Sequence, residues 1–219
     1  MIEIFKKKKK NYPDFWMEYE ASFKKELSDH VDEIRFVVLD TETTGLDLEN
    51  DRILSIGGLA LKGNTIKINE TFEVYLYQHF YHAKNIAIHC ILQEENKTRI
   101  TELEALIQFL AFIGNSVLVA HHAGFDKAML NRALKRHGMP RLKNMILDTS
   151  TLYKRTLLES PLLPKRDSYS LDELAEKFDI SKKDRHTALG DAYITAIAFF
   201  KIVERLKTKK NFSVKYLLK

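Results

Sequence analysis

Apolar runs in the first third of the chain predict a three-stranded meander. Residues 34–40 and 53–61 are short and almost continuously apolar, as in strands that are buried on both faces. Residues 65–77 alternate apolar and polar side chains, which is typical of a half-exposed strand. The turn Lys62-Gly63-Asn64 joins the second and third runs into a hairpin. We therefore expect three antiparallel strands at the start of the domain.

The rest of the chain alternates between strand and helix patterns. Apolar runs predict short strands at 117–120 and 145–148. Periodic apolar stripes and capping residues predict helices at 14–29, 101–113, 125–137, 149–158, 170–179 and 187–207. Strands followed by strands that alternate with helices are typical of an α/β fold. We expect a mixed five-stranded sheet, with the meander followed by parallel strands, flanked by helices and preceded by an N-terminal helix.

Charge divides the chain into an acidic body and two basic ends. Of the net charge of +5, residues 1–10 contribute +4 and residues 201–219 contribute +6, so residues 11–200 contribute −5. Basic ends suit a polyanionic partner, although lysine-rich ends also serve simply to keep a protein soluble. The chain divides into a basic N-terminal segment with an accessory helix (1–32), a central domain (33–207) and a basic C-terminal tail (208–219).

Composition indicates a globular protein of a reducing compartment. The hydrophobic fraction of the 219 residues is 45%, and no apolar stretch approaches the roughly 18 residues that a membrane helix needs. Lys6–Lys10 are followed by polar residues and not by the apolar segment of a signal peptide. The single cysteine, Cys90, cannot form an internal disulfide. These features predict a cytoplasmic protein with no membrane partner.

Two carboxylates lie side by side at the end of the first predicted strand. Asp40 and Glu42 are separated by one residue, so their side chains point to the same side of the strand. Close carboxylates repel each other, and burial raises their pKa values. A divalent cation such as Mg²⁺ or Mn²⁺ would offset that cost, because it prefers oxygen ligands of this kind. The alternative is a solvated acidic turn, since Asp-x-Glu alone is a common sequence.

Two later segments carry further acidic candidates for the same site. Asp126 follows the strand at 117–120, where ligand sites of open α/β sheets gather, although the dipole of the next helix would also favour an acid there. Asp191 lies between Gly190 and Ala192, small residues that would let the last helix approach the sheet closely. On that face Asp191 would be buried without a partner unless a cation binds, at a cost of several kcal/mol.

Two histidines complete the set of candidates. His186 lies at a predicted helix start shortly before Asp191, and an imidazole with a pKa of about 6.5 is a natural acceptor of a proton from water. A simpler interpretation of His186 is an exposed histidine at a helix start. His89 lies in a predicted loop, and the sequence around it favours an ordinary loop histidine.

Three motifs occur in order along the chain. They are Asp-Thr-Glu-Thr-Thr-Gly from Asp40, His-His-Ala-Gly-Phe-Asp ending at Asp126, and His-Thr-Ala-Leu-Gly-Asp-Ala from His186. In this order and spacing the chain closely resembles the DEDDh exonucleases of the ribonuclease H-like fold. Within them it is most similar to the epsilon-type proofreading subunits of bacterial DNA polymerase III and their stand-alone relatives. The resemblance covers roughly residues 34–206.

The resemblance implies a metal-dependent active site. Two divalent cations, Mg²⁺ or Mn²⁺, would be bound by the carboxylates of Asp40, Glu42, Asp126 and Asp191. His186 would act as the general base. The resemblance implies substrate contacts at Thr43, Thr44, Leu46, His89, His121 and Phe125.

The chain departs from the family pattern at three positions. His122 stands where many relatives have asparagine, which bears on hydrogen bonding around the second motif. Cys90 and Leu92 replace a common glycine and threonine in the loop of His89, which bears on how that loop grips the nucleotide. None of these positions is one of the four implied metal ligands.

The resemblance implies a 3′→5′ exonuclease that releases nucleoside 5′-monophosphates from single-stranded or frayed DNA 3′ ends, in proofreading or repair. A DNA polymerase subunit is then a candidate partner. An RNA-trimming exoribonuclease of the same family is the main alternative, because no motif reports contacts to the 2′-hydroxyl. A non-catalytic module that binds nucleic acid or a polymerase is the other alternative, although four acids in place argue against it.

Overall fold

A six-stranded mixed sheet with helices on both faces forms the protein in the computed structural model, which describes residues 11–78, 97–157 and 166–219. The strands are β1 (Arg35–Thr43), β2 (Ile53–Lys62), β3 (Thr65–Leu76), β4 (Arg99–Ile100), β5 (Val117–Ala120) and β6 (Ile146–Asp148). Their order in the sheet is β4-β3-β2-β1-β5-β6. The predicted α/β class is confirmed.

The predicted meander is present, and the later strands pair beside β1. β1 pairs antiparallel with β2, and β2 pairs antiparallel with β3 through a turn at Gly63, whose φ is 57°. β5 is parallel to β1, and β6 is parallel to β5. The prediction of five strands missed β4, which pairs in parallel with Tyr75 and Leu76 of β3. A two-residue strand has no periodicity to detect, so only its pairing defines it.

The helices follow the predicted alternation. Within the described residues they are α1 (Asp14–Ser22), α2 (Glu102–Ile113), α3 (Gly124–Arg136), α4 (Thr149–Lys154), α5 (Leu171–Phe178), α6 (Ala188–Leu206) and α7 (Val214–Leu217). Thr101 and Ser170 each begin a helix with a capping box, as predicted. α4 ends at Lys154, before its predicted end at Leu158, which lies outside the described residues. None of these helices is both long and apolar enough to cross a membrane.

The first helix is shorter than its apolar stripe predicts. The stripe runs to Leu27 and predicts a helix over 14–29, whereas α1 ends at Ser22. Tyr19 and Phe23 pack in the hydrophobic cluster on one face of the sheet, but Leu27 packs against the cluster on the opposite face. Because one straight helix cannot follow both faces, the chain leaves the helix after Ser22.

Each face of the sheet carries its own hydrophobic cluster, and β1 contributes to both. Phe36 and Val38 pack in the cluster that contains residues of α5 and α6. Val37 and Leu39 pack in the cluster that contains residues of α2 and α3. All four side chains are at most 2% exposed. The central strand is therefore covered by helices on both sides.

The two predicted accessory ends also contribute to packing. Trp16 and Tyr19 of α1 are buried, and the Tyr19 hydroxyl donates a hydrogen bond of 2.5 Å to Asn144 Oδ1. Val214 and Leu217 of α7, within the predicted basic tail, are buried in the cluster on the α6 face. Apolar side chains from both ends therefore cover the core.

Gly57 sets the distance between α6 and the sheet. A Cβ atom at Gly57 in β2 would overlap the backbone of Ala188 and Leu189 at the start of α6. At Gly190 the nearest atoms to an added Cβ atom belong to Asp184 and Thr187, in the segment before α6. Gly57 in β2 thus lets α6 approach the sheet, whereas Gly190 leaves room for the backbone of the loop before α6.

Gly57→Ala should lower the free energy of unfolding by about 1–3 kcal/mol, because the added methyl group forces the start of α6 away from the sheet. Urea denaturation followed by circular dichroism measures this change. Gly124→Ala is the matched control, since a Cβ atom at that helical position meets nothing within 4 Å. The control should leave stability unchanged or raise it. Equal stability of wild type and Gly57→Ala would contradict the close packing.

Candidate active site

The end of β1 and the start of α6 bring three carboxylates together. Asp40 and Glu42 alternate with Thr41 along β1, and Asp191 lies in the first turn of α6. One carboxylate oxygen from each of the three acids lies within 4.8 Å of the others. Glu42 and Asp191 are buried, and Asp40 is partly exposed. The strand acids and the acid of the last helix therefore converge in space.

Asp126 reaches the same strand end from α3. It lies in the first turn of that helix and is 4% exposed. Its Oδ1 atom accepts hydrogen bonds from the Thr41 amide at 2.9 Å and from the Thr41 hydroxyl at 2.7 Å. Because Thr41 points to the other side of β1 from its two acidic neighbours, one strand end holds carboxylates on both of its sides.

Burial and crowding oppose the ionisation of this cluster. Burial raises the pKa of Asp40 well above its ordinary value. The pKa of Asp40 is raised further by the negative charges of its neighbours Asp126, Asp191 and Glu42. Burial also raises the pKa of Asp126 to about 7, although the hydrogen bonds from Thr41 oppose that rise. A bound cation would favour the charged forms of all these groups.

Arg185, which the sequence analysis did not single out, supplies positive charge beside the cluster. Its guanidinium donates a hydrogen bond of 2.5 Å to Asp191 Oδ2 and two of 2.9 Å to the oxygens of Asp172. Burial raises the pKa of Asp191, and the hydrogen bond and charge of Arg185 offset part of that rise. Its only sequence signal is its position next to His186 in the third motif.

The donor set fits a hard divalent cation. Three carboxylates converge, and Asp191 Oδ1 is buried with no hydrogen-bond donor among the described residues. Carboxylate oxygens are the ligands that Mg²⁺ and Mn²⁺ prefer, and a buried acceptor without a donor costs free energy that a cation would recover. Asp126, whose Oδ1 is engaged by Thr41, adds a fourth carboxylate at the same strand end.

His186 precedes α6 and does not lie within it. It comes two residues before Ala188, and its φ of 65° is in the left-handed region. That backbone conformation is uncommon for a residue with a side chain and costs about 1–3 kcal/mol. The side chain is exposed, and its charge helps to oppose the rise that burial causes in the pKa of Asp191. The imidazole therefore lies on the solvent side of the carboxylates.

The loop after β1 is organised by Asp51, a buried acid that the sequence analysis also missed. The Thr44 hydroxyl donates a 2.6 Å hydrogen bond to Asp51 Oδ1, and the Asp47 amide donates a 2.8 Å hydrogen bond to Oδ2. The carboxylate fills the space that a Cβ atom on Gly45 would need. Leu46 beside it is 82% exposed. In the sequence Asp51 is one acid among several in a polar loop, so only the fold distinguishes it.

The other predicted substrate contacts lie in different environments. The Thr43 hydroxyl is committed to the Gly45 carbonyl, to which it donates a 2.7 Å hydrogen bond. Phe125 is half-buried against the cluster on the α2 and α3 face. His89, together with Cys90 and Leu92, lies outside the described residues. The roles of these residues in substrate binding stay predictions.

His121 is a neutral histidine in the interior. Burial lowers the pKa of His121 to about 4, and its Nδ1 lies 2.9 Å from Thr149 Oγ1. The exposed His122 follows with a φ of 55°, and the two histidine ring centroids are 4.3 Å apart. Asparagine and histidine both tolerate left-handed backbone, so the departure from the family pattern at His122 suits the local fold.

Without divalent cations, stability should fall as the pH rises from about 6.5 to 8. The pKa of Asp126 is about 7 in the folded protein, whereas the ordinary value of 3.8 applies to the unfolded chain. The folded state therefore binds more protons than the unfolded state in this pH range, and it loses stability as these protons dissociate. His121 acts in the opposite direction, but mainly below about pH 6.5, because its pKa is lowered. Thermal melts in EDTA measure the trend.

Asp126→Asn tests the source of this pH dependence. The variant should show a shallower fall in melting temperature than wild type over the same range, since it lacks the group that titrates near neutral pH. A melting temperature of wild type that rises between pH 6.5 and 8 would contradict the electrostatic account.

Sequence comparison finds relatives that are named as DNA polymerase III proteins. The RNase_T family, described as exonuclease, matches residues 37–199. DNA polymerase III PolC-type of Thermotoga maritima is 39% identical over 174 residues, which cover 78% of this chain and 12% of that protein. DNA polymerase III subunit epsilon of Aquifex aeolicus is 30% identical over 185 residues, which cover 84% of this chain and 88% of that protein. The chain thus spans only a small part of the PolC-type relative but most of the epsilon subunit.

Solved structures share the fold at low sequence identity. E. coli Exonuclease I in complex with a dT13 oligonucleotide has a TM-score of 0.67 and 17% identity, covering 80% of this chain and 42% of that chain. Exonuclease X in complex with 5′ overhanging duplex DNA has a TM-score of 0.61 and 20% identity, covering 84% of this chain and 97% of that chain. These similarities show the ribonuclease H-like fold. Because the family match spans most of the chain, the chain belongs to the RNase_T exonuclease family, with the DEDDh motifs that the sequence predicted.

Proposed function

We propose that this protein is a metal-dependent 3′→5′ exonuclease that hydrolyses phosphodiester bonds at DNA 3′ ends. The observation that carries the proposal is the convergence of Asp40, Glu42 and Asp191 within 4.8 Å, with Asp126 buried at the same strand end. Membership of an exonuclease family supports nuclease chemistry. The relatives named as DNA polymerase III proteins support DNA as the substrate.

Four carboxylates would hold two divalent cations, Mg²⁺ or Mn²⁺. Asp40, Glu42 and Asp191 would bind one cation, because their oxygens converge. Asp40 and Asp126 would hold the second cation. When bound, the pair would stabilise charge on the attacking and leaving oxygens of an in-line displacement at phosphorus.

His186 is the proposed general base. In the reaction the oxygen of a water molecule bonds to the phosphorus of the terminal nucleotide, and the bond from that phosphorus to O3′ breaks. O3′ takes up a proton from solvent, so the products are a nucleoside 5′-monophosphate and a new 3′-hydroxyl. His186 would accept a proton from that water, since its imidazole is exposed beside the carboxylates. The negative charge of Asp191 would stabilise the imidazolium that forms.

The loop after β1 is the proposed binding site of the 3′-terminal nucleotide. Leu46 presents an exposed apolar side chain close in sequence to the two strand acids, which suits contact with a terminal base. Thr43 and Thr44 belong to the same turn, and the hydrogen bond between Thr44 and Asp51 fixes its shape. We propose His89, His121 and Phe125 as further substrate contacts.

A DNA polymerase is the proposed protein partner, and proofreading or repair is the proposed setting. Both follow from relatives that are named as a polymerase III subunit and as PolC-type polymerases. The substrate would then be a single-stranded or frayed DNA 3′ end. RNA trimming is the alternative within the family, and a panel of substrates separates the two.

Purified protein with Mg²⁺ or Mn²⁺ should shorten single-stranded DNA from its 3′ end and release nucleoside 5′-monophosphates. The rate of release should be higher on this DNA than on an RNA of the same sequence. Asp40→Asn and Asp191→Asn should each lower the rate by more than about 100-fold, because each removes a proposed metal ligand. Loss of a residue that only orients such a ligand costs about 10–100-fold. Asp179→Asn, an exposed acid at the end of α5, is the matched control and should keep full activity. Faster degradation of RNA would move the proposal to an exoribonuclease, and unchanged rates in both site variants would refute the site.

His186→Ala should lower kcat by about 10²–10⁴-fold, because the attacking water loses its proton acceptor. The increase in melting temperature on adding Mn²⁺ should stay as in wild type, since the carboxylates are intact. His30→Ala, which removes another exposed histidine, is the control for kcat. A kcat close to wild type in His186→Ala would remove this residue from the role of base.

A further inference from the structure

An open groove of about 700 Å³ runs beside α3, and we call it the α3 groove. Four of the ten residues that line it are cationic and none is acidic. The cationic residues are Lys127, Arg132, Lys135 and Arg141. The α3 groove is therefore a local concentration of positive charge, although residues 11–200 together carry a net charge of −5.

Most of this positive charge is not neutralised within the protein. Three of the four cations form no ion pair in the described part of the chain: Lys127, Lys135 and Arg141. The side chains of Lys135 and Arg141 are also exposed. Arg132 pairs with Glu49 at 3.2 Å, and both of these side chains are solvent-accessible. An exposed pair of this kind contributes little and leaves the arginine available to other anions.

Where α3 packs against α2, by contrast, its positive charge is neutralised within the protein. Arg136 donates two hydrogen bonds to Glu102 of α2, at 2.6 and 3.0 Å, and His137 Nε2 lies 3.0 Å from the same carboxylate. The Arg136 guanidinium is thereby paired with an acid that is 14% exposed. α3 thus neutralises Arg136 where it packs against α2, whereas Lys127 and Lys135, which line the groove, form no ion pair among the described residues.

The α3 groove begins beside the candidate active site. Gly124, one of its lining residues, is two residues before Asp126, and Leu48 on the other wall belongs to the loop after β1. From Lys127 to Lys135 the helix rises about 12 Å, at about 1.5 Å per residue. A strand whose 3′ end lies at the carboxylates would continue past these cations.

We propose that the α3 groove binds the phosphate backbone of the nucleic-acid strand upstream of its 3′-terminal nucleotide. This inference rests on the proposed exonuclease function and adds how the enzyme holds the polymer behind the scissile bond. Among the described lining residues none is aromatic, so the contacts would be to phosphates and would not depend on base sequence. An acidic protein segment would meet the same charges, but the continuity with the active site favours nucleic acid.

The double variant Lys135→Ala/Arg141→Ala tests the end of the α3 groove that lies away from the carboxylates. In an Asp40→Asn background, which prevents hydrolysis, fluorescence anisotropy gives the affinity for a single-stranded oligothymidylate at several salt concentrations. Loss of two phosphate contacts should reduce the slope of log K against log salt by about 1.4, at about 0.7 per contact on a single strand. Lys135→Glu/Arg141→Glu should weaken binding further, because it adds repulsion. Lys24→Ala/Lys25→Ala, which removes two exposed lysines after α1, should leave the slope unchanged.

A kinetic measurement separates this inference from the proposed function. With catalytic residues intact, the double variant should lower kcat/KM several-fold on the long oligomer. It should leave turnover of p-nitrophenyl thymidine 5′-monophosphate unchanged, since that substrate has no upstream phosphate. If wild type cleaves neither substrate, the proposed function fails. If wild type cleaves both, and the alanine and glutamate variants match it in salt slope and in kcat/KM, the α3 groove does not bind the strand.

Discussion

The central strand β1 is the element on which the rest of the structure depends. Its alternating residues send Phe36 and Val38 into one hydrophobic cluster and Val37 and Leu39 into the other, so both helix layers pack on the same strand. Alternation continues beyond the apolar residues, because it is a property of the extended backbone. The polar side chains at the carboxyl end of β1 are thereby directed to the same two faces. The packing that forms the core also assembles the candidate active site.

The carboxylate cluster is costly to hold together, and two neighbours reduce that cost. Thr41 donates two hydrogen bonds to Asp126, and Arg185 donates one to Asp191. Arg185 is anchored independently by two hydrogen bonds to Asp172, so a cation that replaced it at Asp191 would disturb only one of its three bonds. The protein therefore stabilises the acidic cluster in part and leaves Asp191 Oδ1 as an acceptor without a donor in the described residues.

Charge is distributed so that an acidic centre adjoins basic surfaces. Residues 11–200 carry a net charge of −5, while residues 1–10 and 201–219 carry net charges of +4 and +6. The α3 groove is the exception within the body, because four of its ten lining residues are cationic and none is acidic. Such a separation suits a polyanionic substrate, since cations bound at the acidic centre would remove the repulsion there while the groove attracts the strand.

The sequence by itself determined the features whose signals are local. The period of the apolar residues defined β1 to β3, and the side chains of Thr101 and Ser170 marked two helix starts that the structure confirms. The order and spacing of the three motifs carried the resemblance to an exonuclease family, which the family match confirms. Local chemistry was sufficient for the strands and the helix starts, since each of these depends on residues only a few positions apart.

Only the tertiary structure decided which side chains meet. It ended α1 at Ser22, because Leu27 belongs to the opposite face of the sheet. It paired Arg185 with both Asp172 and Asp191, and it made Asp51 the buried centre of the loop after β1. A periodic pattern reports which face of an element is buried, but it carries no information about the partner that covers that face.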